Sequence, residues 1–308
     1  MKHTFMRFLL TTVLIITTGS CDTARESKEP PSRNRTGHGE NTANYRRIVS
    51  LSPSSTETLF ALGLGDRVVG VTRYCKYPPE ALEKDKVGGY LDPNYEAIAT
   101  LNPDLVIVLP GHENIKNYLT ELGLAYVMVR NDRVEDILET FTIIGDICGI
   151  SEKASEIVAN MKARIQLIKE QIKDTPRRRV LVSISRTLGT GSLEDVYIAG
   201  KNTFYDELIM YAGGVNAYKG YDIEYPVLSA EGLLYLNPDI IIDIVPDLDK
   251  RGVDNTAILK DWESVSHVEA VKNRRIHVLS DDYTVIPGPR FIQLLEDFAH
   301  IIHPEIQF

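Results

Sequence analysis

Tyrosine is the residue type in this sequence that is best suited to recognition chemistry. The chain has 15 Tyr against 8 Phe and 1 Trp. Several of the tyrosines fall in or beside predicted loops at strand ends, and ligands of α/β proteins usually bind outside the carboxyl ends of the strands. A tyrosine offers a flat apolar face and a hydroxyl, which suits a large, partly polar ring system. These loop tyrosines are Tyr74, Tyr90, Tyr197, Tyr221, Tyr225 and Tyr283.

Two arginines lie in the same predicted loops. The guanidinium groups of Arg73 and Arg186 could pair with the carboxylates or phosphates of a ligand. The alternative for each tyrosine is that it only covers the end of a sheet. The sequence therefore indicates a ligand-binding surface of aromatic and cationic side chains, without fixing the ligand.

The sequence contains no recognisable catalytic motif. It lacks Gly-x-Ser-x-Gly, His-Glu-x-x-His, a phosphate-binding glycine loop and Cys-x-x-Cys. The seven histidines are scattered; His300 and His303 could share one side of a helix, but His303 precedes Pro304. We therefore predict that the protein is not an enzyme and has no catalytic residue, catalytic cofactor or metal site.

A short pattern occurs twice in the chain. Glu96 stands five residues before Leu-Asn-Pro-Asp at 101–104 and an apolar run, and Glu231 stands at the same distance before Leu-Asn-Pro-Asp at 236–239. Such self-similarity predicts two related lobes. The alternative is that the pattern is a common helix-to-strand junction, because proline disfavours helix in the residue before it.

Strands alternate with helices on both sides of one long helical pattern. Apolar residues recur every three or four positions between Ser151 and Lys173, and Ser151 is predicted to cap this helix. The chain is therefore expected to be an α/β protein with two Rossmann-like lobes around parallel sheets. The predicted divisions are an amino-terminal lobe at 45–149, a connecting helix at 150–176 and a carboxyl-terminal lobe at 177–308.

The first 44 residues are predicted to serve in export. Residues 1–20 have a basic start and a short apolar run, and the small residues before Cys21 resemble the cleavage site of a bacterial lipoprotein signal peptide. Cys21 would then carry the lipid, and residues 21–44 would form a flexible tether. The alternative is plain secretion, with Cys21 incidental.

Charge and cysteine content limit the partners and the redox chemistry. The net charge of −9 and the pI near 5.4 argue against a nucleic-acid partner, which would need a basic face. Cys75 and Cys148 could form a disulfide in an oxidising compartment, although Cys148 ends an apolar helical pattern typical of a buried residue. Their pairing stays open at this stage.

Four features together resemble the helical-backbone class of bacterial solute-binding proteins, which serve importers of vitamin B12, ferric siderophores and haem. The similarity covers about residues 46–304. The features are the Arg-Ile-Val-Ser-Leu-Ser-Pro opening at 47–53 with Glu57, the Tyr-Pro-Pro loop at 77–79, the Leu-Asn-Pro-Asp pair, and Pro-Gly-Pro-Arg at 287–290. The resemblance implies a ligand cleft between two lobes that a rigid helix joins, with only small closure on binding.

The resemblance also implies roles for individual residues. Glu96 and Glu231 match the two surface glutamates that dock onto permease arginines, although each could simply complement its helix amino terminus. Aromatic residues frame the corrin ring in the B12-binding members; two of the matching positions, Tyr90 and Tyr225, hold tryptophan there, and Leu109 differs as well. The matching ring-framing residues are Tyr74, Tyr90, Tyr197, Tyr225 and Tyr283.

The resulting hypothesis is a lipid-anchored, extracytoplasmic binding protein that hands a corrinoid to an ABC permease and its ATPase. It is expected to be a monomer, held at a membrane through Cys21, in the periplasm or at the cell surface. The alternative ligands are a ferric siderophore and haem. Alternatives of another class are a chelatase-like enzyme of two lobes and a surface scavenger without a permease.

Overall fold

The structure is a computed structural model that describes residues 45–308. The predicted signal peptide, the lipidation site Cys21 and the tether at 21–44 lie outside the described residues. Within 45–308 no helix has both the length and the apolar character that crossing a bilayer requires. The described chain forms two lobes, each built around its own sheet.

The first lobe alternates strands and helices around a sheet of five parallel strands. The strand order is β3-β2-β1-β4-β5, and the apolar run of β4 is completely buried, as in other parallel sheets. The predicted parallel sheet is confirmed here. The elements are β1 (Ile48–Ser50), α1 (Pro53–Ala61), β2 (Val68–Val71), β3 (Asp85–Lys86), α2 (Tyr95–Thr100), β4 (Leu105–Val108), α3 (Glu113–Glu121), β5 (Tyr126–Met128) and α4 (Val134–Ile147).

A single long helix, α5 (Ser151–Gln171), follows the first lobe. Its 21 residues span about 31 Å at about 1.5 Å per residue, and Ala154, Ile165 and Ile168 are buried on one face. The long helix that the periodicity predicts is present, and it ends at Gln171, where turns begin, rather than at residue 176. The predicted cap was wrong: Ser151 is the first helical residue, and the preceding Ile150 makes no side-chain capping bond.

Helices α4 and α5 approach each other closely at a glycine. A Cβ added to Gly145 would lie 2.4 Å from the Cβ of Ala154, so any larger residue would push the two helices apart. The first lobe is thereby held against the connecting helix.

The second lobe contains a mixed sheet with the order β11-β10-β6-β7-β9, and β8 pairs with β6. The predicted parallel pairing is present among β11, β10, β6 and β8, but the sheet is mixed because β7 runs antiparallel to both β6 and β9. Residues 186–195 between β6 and β7 contain no helix, and a parallel return would need a longer crossover. The elements are β6 (Arg179–Ser185), β7 (Val196–Ile198), α6 (Phe204–Tyr211), β8 (Val215–Asn216), β9 (Val227–Leu228), α7 (Ala230–Leu236), β10 (Ile240–Ile244), α8 (Asn255–Glu263), α9 (Glu269–Lys272), β11 (Ile276–Leu279) and α10 (Phe291–Ile302).

The repeated Leu-Asn-Pro-Asp pattern forms the same hydrogen bonds in both lobes. The aspartate accepts the backbone N–H of an arginine at the start of a neighbouring strand, from Arg47 to Asp104 at 2.9 Å and from Arg179 to Asp239 at 2.7 Å. Each arginine also donates from its guanidinium to carbonyl oxygens at the carboxyl end of the helix that precedes the aspartate. The repeat in the sequence is therefore also a repeat of local structure.

One hydrophobic core joins both lobes to α5. It contains Ile48 of β1, Ile168 of α5, Val180 of β6 and Phe291 and Phe298 of α10, all of which are essentially inaccessible to solvent. Two further clusters belong to one lobe each, on the other faces of the two sheets. The lobes therefore share a core with the helix that connects them.

Candidate functional site

Tyr90 lies in the loop after β3 and reaches over the end of β4. Its hydroxyl is 4.0 Å from where a Cβ of Gly111 would be, and its ring meets the His112 ring edge-on with 5.0 Å between centroids. The side chain is half-buried. The structure therefore places this predicted ligand residue at the carboxyl edge of the first sheet, where ligands of such sheets bind.

The charge of Asp132 acts on one tyrosine in each lobe. Asp132 follows β5 and pairs with Arg130 at 2.8 Å. Burial and then the charge of Asp132 raise the pKa of Tyr90, while burial, Glu224 and Asp132 raise the pKa of Tyr225. One carboxylate thus acts on a tyrosine from each lobe. Asp132 was not among the predicted ligand residues, although it follows a strand, which is the same signal that singled out the tyrosines.

Tyr225 and Tyr197 form an aromatic surface on the second lobe. Tyr197 of β7 pairs with Val227 of β9, and both side chains are close to half exposed, as is that of Tyr225. The loop before Tyr225 rests on Gly200, whose N–H donates to the Glu224 carbonyl at 2.7 Å. A Cβ on Gly200 would lie 1.9 Å from a carbonyl oxygen of this loop, so the position requires glycine.

Arg290 connects the lobes through a buried ion pair. Its guanidinium, at the start of α10, makes two hydrogen bonds to the carboxylate of Glu57 in α1, at 2.6 and 3.0 Å. A third bond of 2.6 Å reaches Asp282. Burial raises the pKa of Glu57 and the bonds from Arg290 oppose that rise. The Arg290 guanidinium also lies 4.2 Å from the ring centroid of Tyr77 and 5.6 Å from that of Tyr283.

Tyr283 and Tyr74 occupy different surroundings from the other predicted tyrosines. Tyr283 is partly buried and packs against the shared core, and its hydroxyl donates to Asp297 at 2.7 Å. Tyr74 is 52% exposed beside Arg73, whose guanidinium is 5.5 Å from the ring centroid. The hydroxyl of Tyr283 is thus a poor candidate for a polar contact with a ligand.

The prediction that Arg186 meets the ligand is wrong. Its side chain is 1% exposed and pairs with Asp243 at 2.8 Å and with Asp261 at 2.6 Å. Trp262 lies beside the guanidinium and donates its indole N–H to Asp243. Both carboxylates are almost inaccessible as well. Arg186 therefore forms ion pairs inside the second lobe and is not available to a ligand.

Five basic side chains around the junction of the lobes have an acidic partner. Arg73 pairs with Asp92, and Lys76 of the first lobe pairs with Asp247 of the second at 3.1 Å. A further cross-lobe contact joins Arg133 to Glu207 at 3.1 Å. Arg130 and Arg290 complete this set through the pairs described above. The positive charge at this junction is therefore largely neutralised from within the protein.

Glu96 and Glu231 occupy equivalent, exposed positions. Each is the second residue of a helix, after the caps Asn94 and Ser229, whose side chains accept a backbone N–H. Within residues 45–308 neither carboxylate has a hydrogen bond or ion pair to another side chain. Their exposure leaves both accessible to a partner, and their docking role stays a prediction.

The cysteines and histidines of the described chain form no further site. Cys75 and Cys148 are both free and buried, so the possible disulfide is not present, and burial raises the pKa of Cys148 to about 11. Across residues 45–308 no group of three or more His, Cys, Asp or Glu side chains is arranged to hold a metal ion.

Comparison with known proteins places this architecture in a family. Residues 48–283 match the family described as periplasmic binding protein. The chain is 30% identical over 268 residues to an uncharacterized ABC transporter substrate-binding lipoprotein of Bacillus subtilis, an alignment that covers 84% of this chain and 81% of that protein.

Two solved structures share the fold over most of their length. A periplasmic haem-binding protein from Roseiflexus has a TM-score of 0.72 at 28% identity, over 85% of this chain and 99% of that chain. The periplasmic vitamin B12-binding protein of Vibrio cholerae has a TM-score of 0.69 at 25% identity, over 86% and 99%. These matches confirm the resemblance to the helical-backbone class, and the chain belongs to the periplasmic binding protein family, the substrate-binding components of ABC transporters.

Proposed function

We propose that this protein captures a corrinoid, a vitamin B12-like ring system, between its two lobes and delivers it to the permease of an ABC importer. The wall of the cleft would consist of the tyrosines of both lobes, chiefly Tyr90, Tyr197 and Tyr225, with Tyr74 and the ring of Tyr283 at its edges. Large aromatic faces give contact area to a flat ring at a small cost in conformational entropy. The protein binds and releases the ligand and does no chemistry on it.

The observation that carries the corrinoid assignment is the pairing of the basic side chains at the lobe junction. Arg73, Lys76, Arg130 and Arg290 are each bonded to a carboxylate of the protein. An anionic ferric chelate or a haem propionate would have to displace these carboxylates to gain an ion pair. A corrinoid carries amide groups around its ring, and amide N–H groups suit an acceptor such as Asp132.

Export and anchoring belong to the same proposal. Residues 1–20 would act as a lipoprotein signal peptide, Cys21 would carry the lipid, and residues 21–44 would tether the folded part outside the cytoplasmic membrane. The folded part would comprise a lobe at 45–149, a connecting helix within 150–176 and a lobe at 177–308, and would act as a monomer. The likeness to a Bacillus subtilis substrate-binding lipoprotein supports this arrangement.

Calorimetric titration of the purified protein with cyanocobalamin tests the ligand assignment. We expect one-to-one binding with a sub-micromolar Kd. Tyr90→Ala and Tyr225→Ala should each weaken it about tenfold or more, because a central aromatic contact contributes on the order of 2 kcal/mol. Tyr235→Ala is the matched control, since Tyr235 is 89% exposed on α7 and should leave the Kd unchanged.

The same titration with ferric siderophores and haemin separates the alternatives. Tight binding of one of these without cobalamin binding would contradict the corrinoid assignment and keep the transport role. Conversion of a bound tetrapyrrole to a new product would instead indicate a chelatase-like enzyme. Lack of binding to all three ligands would contradict the proposed ligand class.

Docking onto the permease predicts a transport defect without loss of affinity. The combined substitution Glu96→Ala and Glu231→Ala should abolish most uptake of labelled cobalamin by cells that carry the permease, because it removes the exposed carboxylates at equivalent corners of the two lobes. The Kd of the purified variant should match that of the wild type. The measurement is initial uptake rate against expression level.

Glu121→Ala combined with Glu263→Ala is the matched control for the docking experiment. These exposed glutamates are the last residues of α3 and α8, one in each lobe, and their loss changes the net charge by the same amount. Uptake should persist in this control. Normal uptake by the Glu96/Glu231 variant would refute the docking role and favour a scavenger without a permease.

A further inference from the structure

His112 is a buried histidine to which the proposed function gives no role. It precedes α3, at the end of the loop that follows β4, and is 4% exposed. Both ring nitrogens are engaged. Nδ1 lies 3.1 Å from the backbone nitrogen of Leu109, and Nε2 lies 2.7 Å from the carbonyl oxygen of Tyr90.

These two contacts require one protonation state of the imidazole. The Leu109 N–H is a donor, so Nδ1 must accept and carry no hydrogen. The Tyr90 carbonyl is an acceptor, so Nε2 must carry the hydrogen. Only the neutral ring with the proton on Nε2 satisfies both neighbours; the doubly protonated ring would direct an N–H at another N–H.

The same imidazole fixes the position of the Tyr90 side chain. It bonds to the backbone of Tyr90 and also packs edge-on against its ring. Elsewhere the loop that carries Tyr90 is held at its base by a bridge between Gly88 and Pro93 and by the exposed pair Arg73–Asp92. His112 is therefore the buried contact that joins this loop to the end of β4.

We propose that His112 is a positioning residue for the ligand cleft: in its neutral form it fastens the Tyr90 loop to the end of β4, and its protonation releases the loop and weakens ligand binding in acid. The proposal rests on the proposed role of Tyr90 in ligand binding. Burial supports it, because loss of solvent lowers the pKa of His112 below its ordinary value, although the bond to Tyr90 opposes this.

The charges around His112 leave burial as the main influence on its protonation. From the loop after β5, Asp132 acts on Tyr90. Arg73 and Asp92 flank the Tyr90 loop and neutralise each other, and Lys116 lies one turn along α3. No carboxylate bonds to the imidazole, so nothing in direct contact favours its charged form.

The sign of the pH dependence follows from the lowered pKa. The unfolded chain takes up the proton near pH 6.5, whereas the folded protein resists it until a lower pH. The stability that the neutral imidazole gives to the fastened Tyr90 loop is therefore fully present above about pH 6.5. It is lost as the pH falls through the pKa of His112 in the folded protein. Below that value the binding-competent fraction, and with it the affinity, falls about tenfold per pH unit.

The test combines titration calorimetry of the protein with cyanocobalamin between pH 4.5 and 7.5 with nitrogen NMR of the histidine rings. Wild-type affinity should be constant above pH 6.5 and should fall in acid. His112→Gln keeps an N–H donor for the Tyr90 carbonyl but does not titrate, so it should bind more weakly at neutral pH and lose most of the acid dependence. His112→Ala should bind least.

His277→Gln is the matched control. His277 lies half-buried in β11 of the second lobe and its pKa is also lowered by burial, yet it is not one of the residues proposed to line the cleft, so its removal should leave the pH profile unchanged. A wild-type affinity that does not change between pH 7.5 and 4.5, or an unchanged profile in His112→Gln, would overturn the proposal.

NMR separates failure of this proposal from failure of the corrinoid assignment. The free protein should show His112 with an unprotonated Nδ1, and the amide of Tyr90 should shift with the same midpoint as His112. This result without cobalamin binding at any pH would support the fastening role and contradict the ligand. The fastening role would be overturned, whatever the ligand, by a proton on Nδ1 at neutral pH. It would also be overturned if the chemical shift of the Tyr90 amide did not change as His112 titrates.

Discussion

Replacement of Arg290 by methionine is expected to lower the free energy of unfolding by about 3–5 kcal/mol. The Glu57 carboxylate is 2% exposed and receives two hydrogen bonds from Arg290, so the variant would leave a buried carboxylate without a partner. The variant would also lose the contact of the guanidinium with the rings of Tyr77 and Tyr283. Chemical denaturation at pH 7 measures the change.

Two further variants distinguish a buried ion pair from a general effect of charge removal. Arg164→Met breaks the pair between α5 and Glu296, which is about one-third exposed, and should cost about 1 kcal/mol or less. Glu57→Met combined with Arg290→Met should recover part of the loss, because the buried carboxylate is removed together with its cation, and Asp282, which also loses Arg290, is one-third exposed. A single Arg290→Met variant as stable as the wild type would contradict this account.

Arg186→Met is expected to destabilise the protein by at least as much, because it leaves two buried carboxylates without their cation. Asp243 and Asp261 are 1% and 0% exposed. Asp261 also accepts the backbone N–H groups of Gly189 and Gly191, so the loop after β6 should loosen as well. We expect a loss of about 3–5 kcal/mol or more at pH 7, measured by denaturant unfolding.

The same variant should show a defined pH dependence. Burial alone would raise the pKa of Asp261, but the bonds from Arg186, Gly189 and Gly191 hold it below its ordinary value. A lowered carboxyl pKa contributes stability that is fully present above the unfolded value near 3.9 and is lost as the pH falls through the folded value. The difference between wild type and Arg186→Met should therefore shrink below about pH 4.

Arg73→Met is the control for Arg186→Met. Arg73 was predicted for the same role, yet its ion pair with Asp92 is 50% and 67% exposed. Its removal should change the free energy of unfolding by about 1 kcal/mol or less. Equal stability losses in the two variants would refute the distinction between an interior and a surface arginine.

The architecture was predictable because it depends on local patterns. The helical periodicity between Ser151 and Lys173 is visible in the sequence, and the two Leu-Asn-Pro-Asp segments predict paired lobes without any knowledge of contacts. The mixed pairing of the second sheet could also have been predicted, because residues 186–195 show no helical pattern and a parallel crossover needs a longer connection.

The location of a candidate site residue was predictable only where it depends on the position of that residue relative to a strand end. Tyr90, which follows β3, lies where the rule that ligands meet the carboxyl ends of strands expects it, whereas Tyr225 precedes β9 and lies at the amino end of that strand. Arg186 obeys the same rule and fails, because its partners Asp243 and Asp261 are 57 and 75 residues away in the sequence. No pattern in the sequence around His112 indicates its proposed role, because that role depends on the carbonyl of Tyr90, 22 residues earlier.

The core that both lobes share with α5 also bears on biosynthesis. Phe291 and Phe298 of α10, close to the carboxyl terminus, pack in the same cluster as Ile48 of β1. That face of the first sheet therefore stays incompletely covered until nearly the whole chain has been made. For the export that we propose, a core that only the last helix completes would favour passage of the unfolded chain across the membrane before it becomes compact.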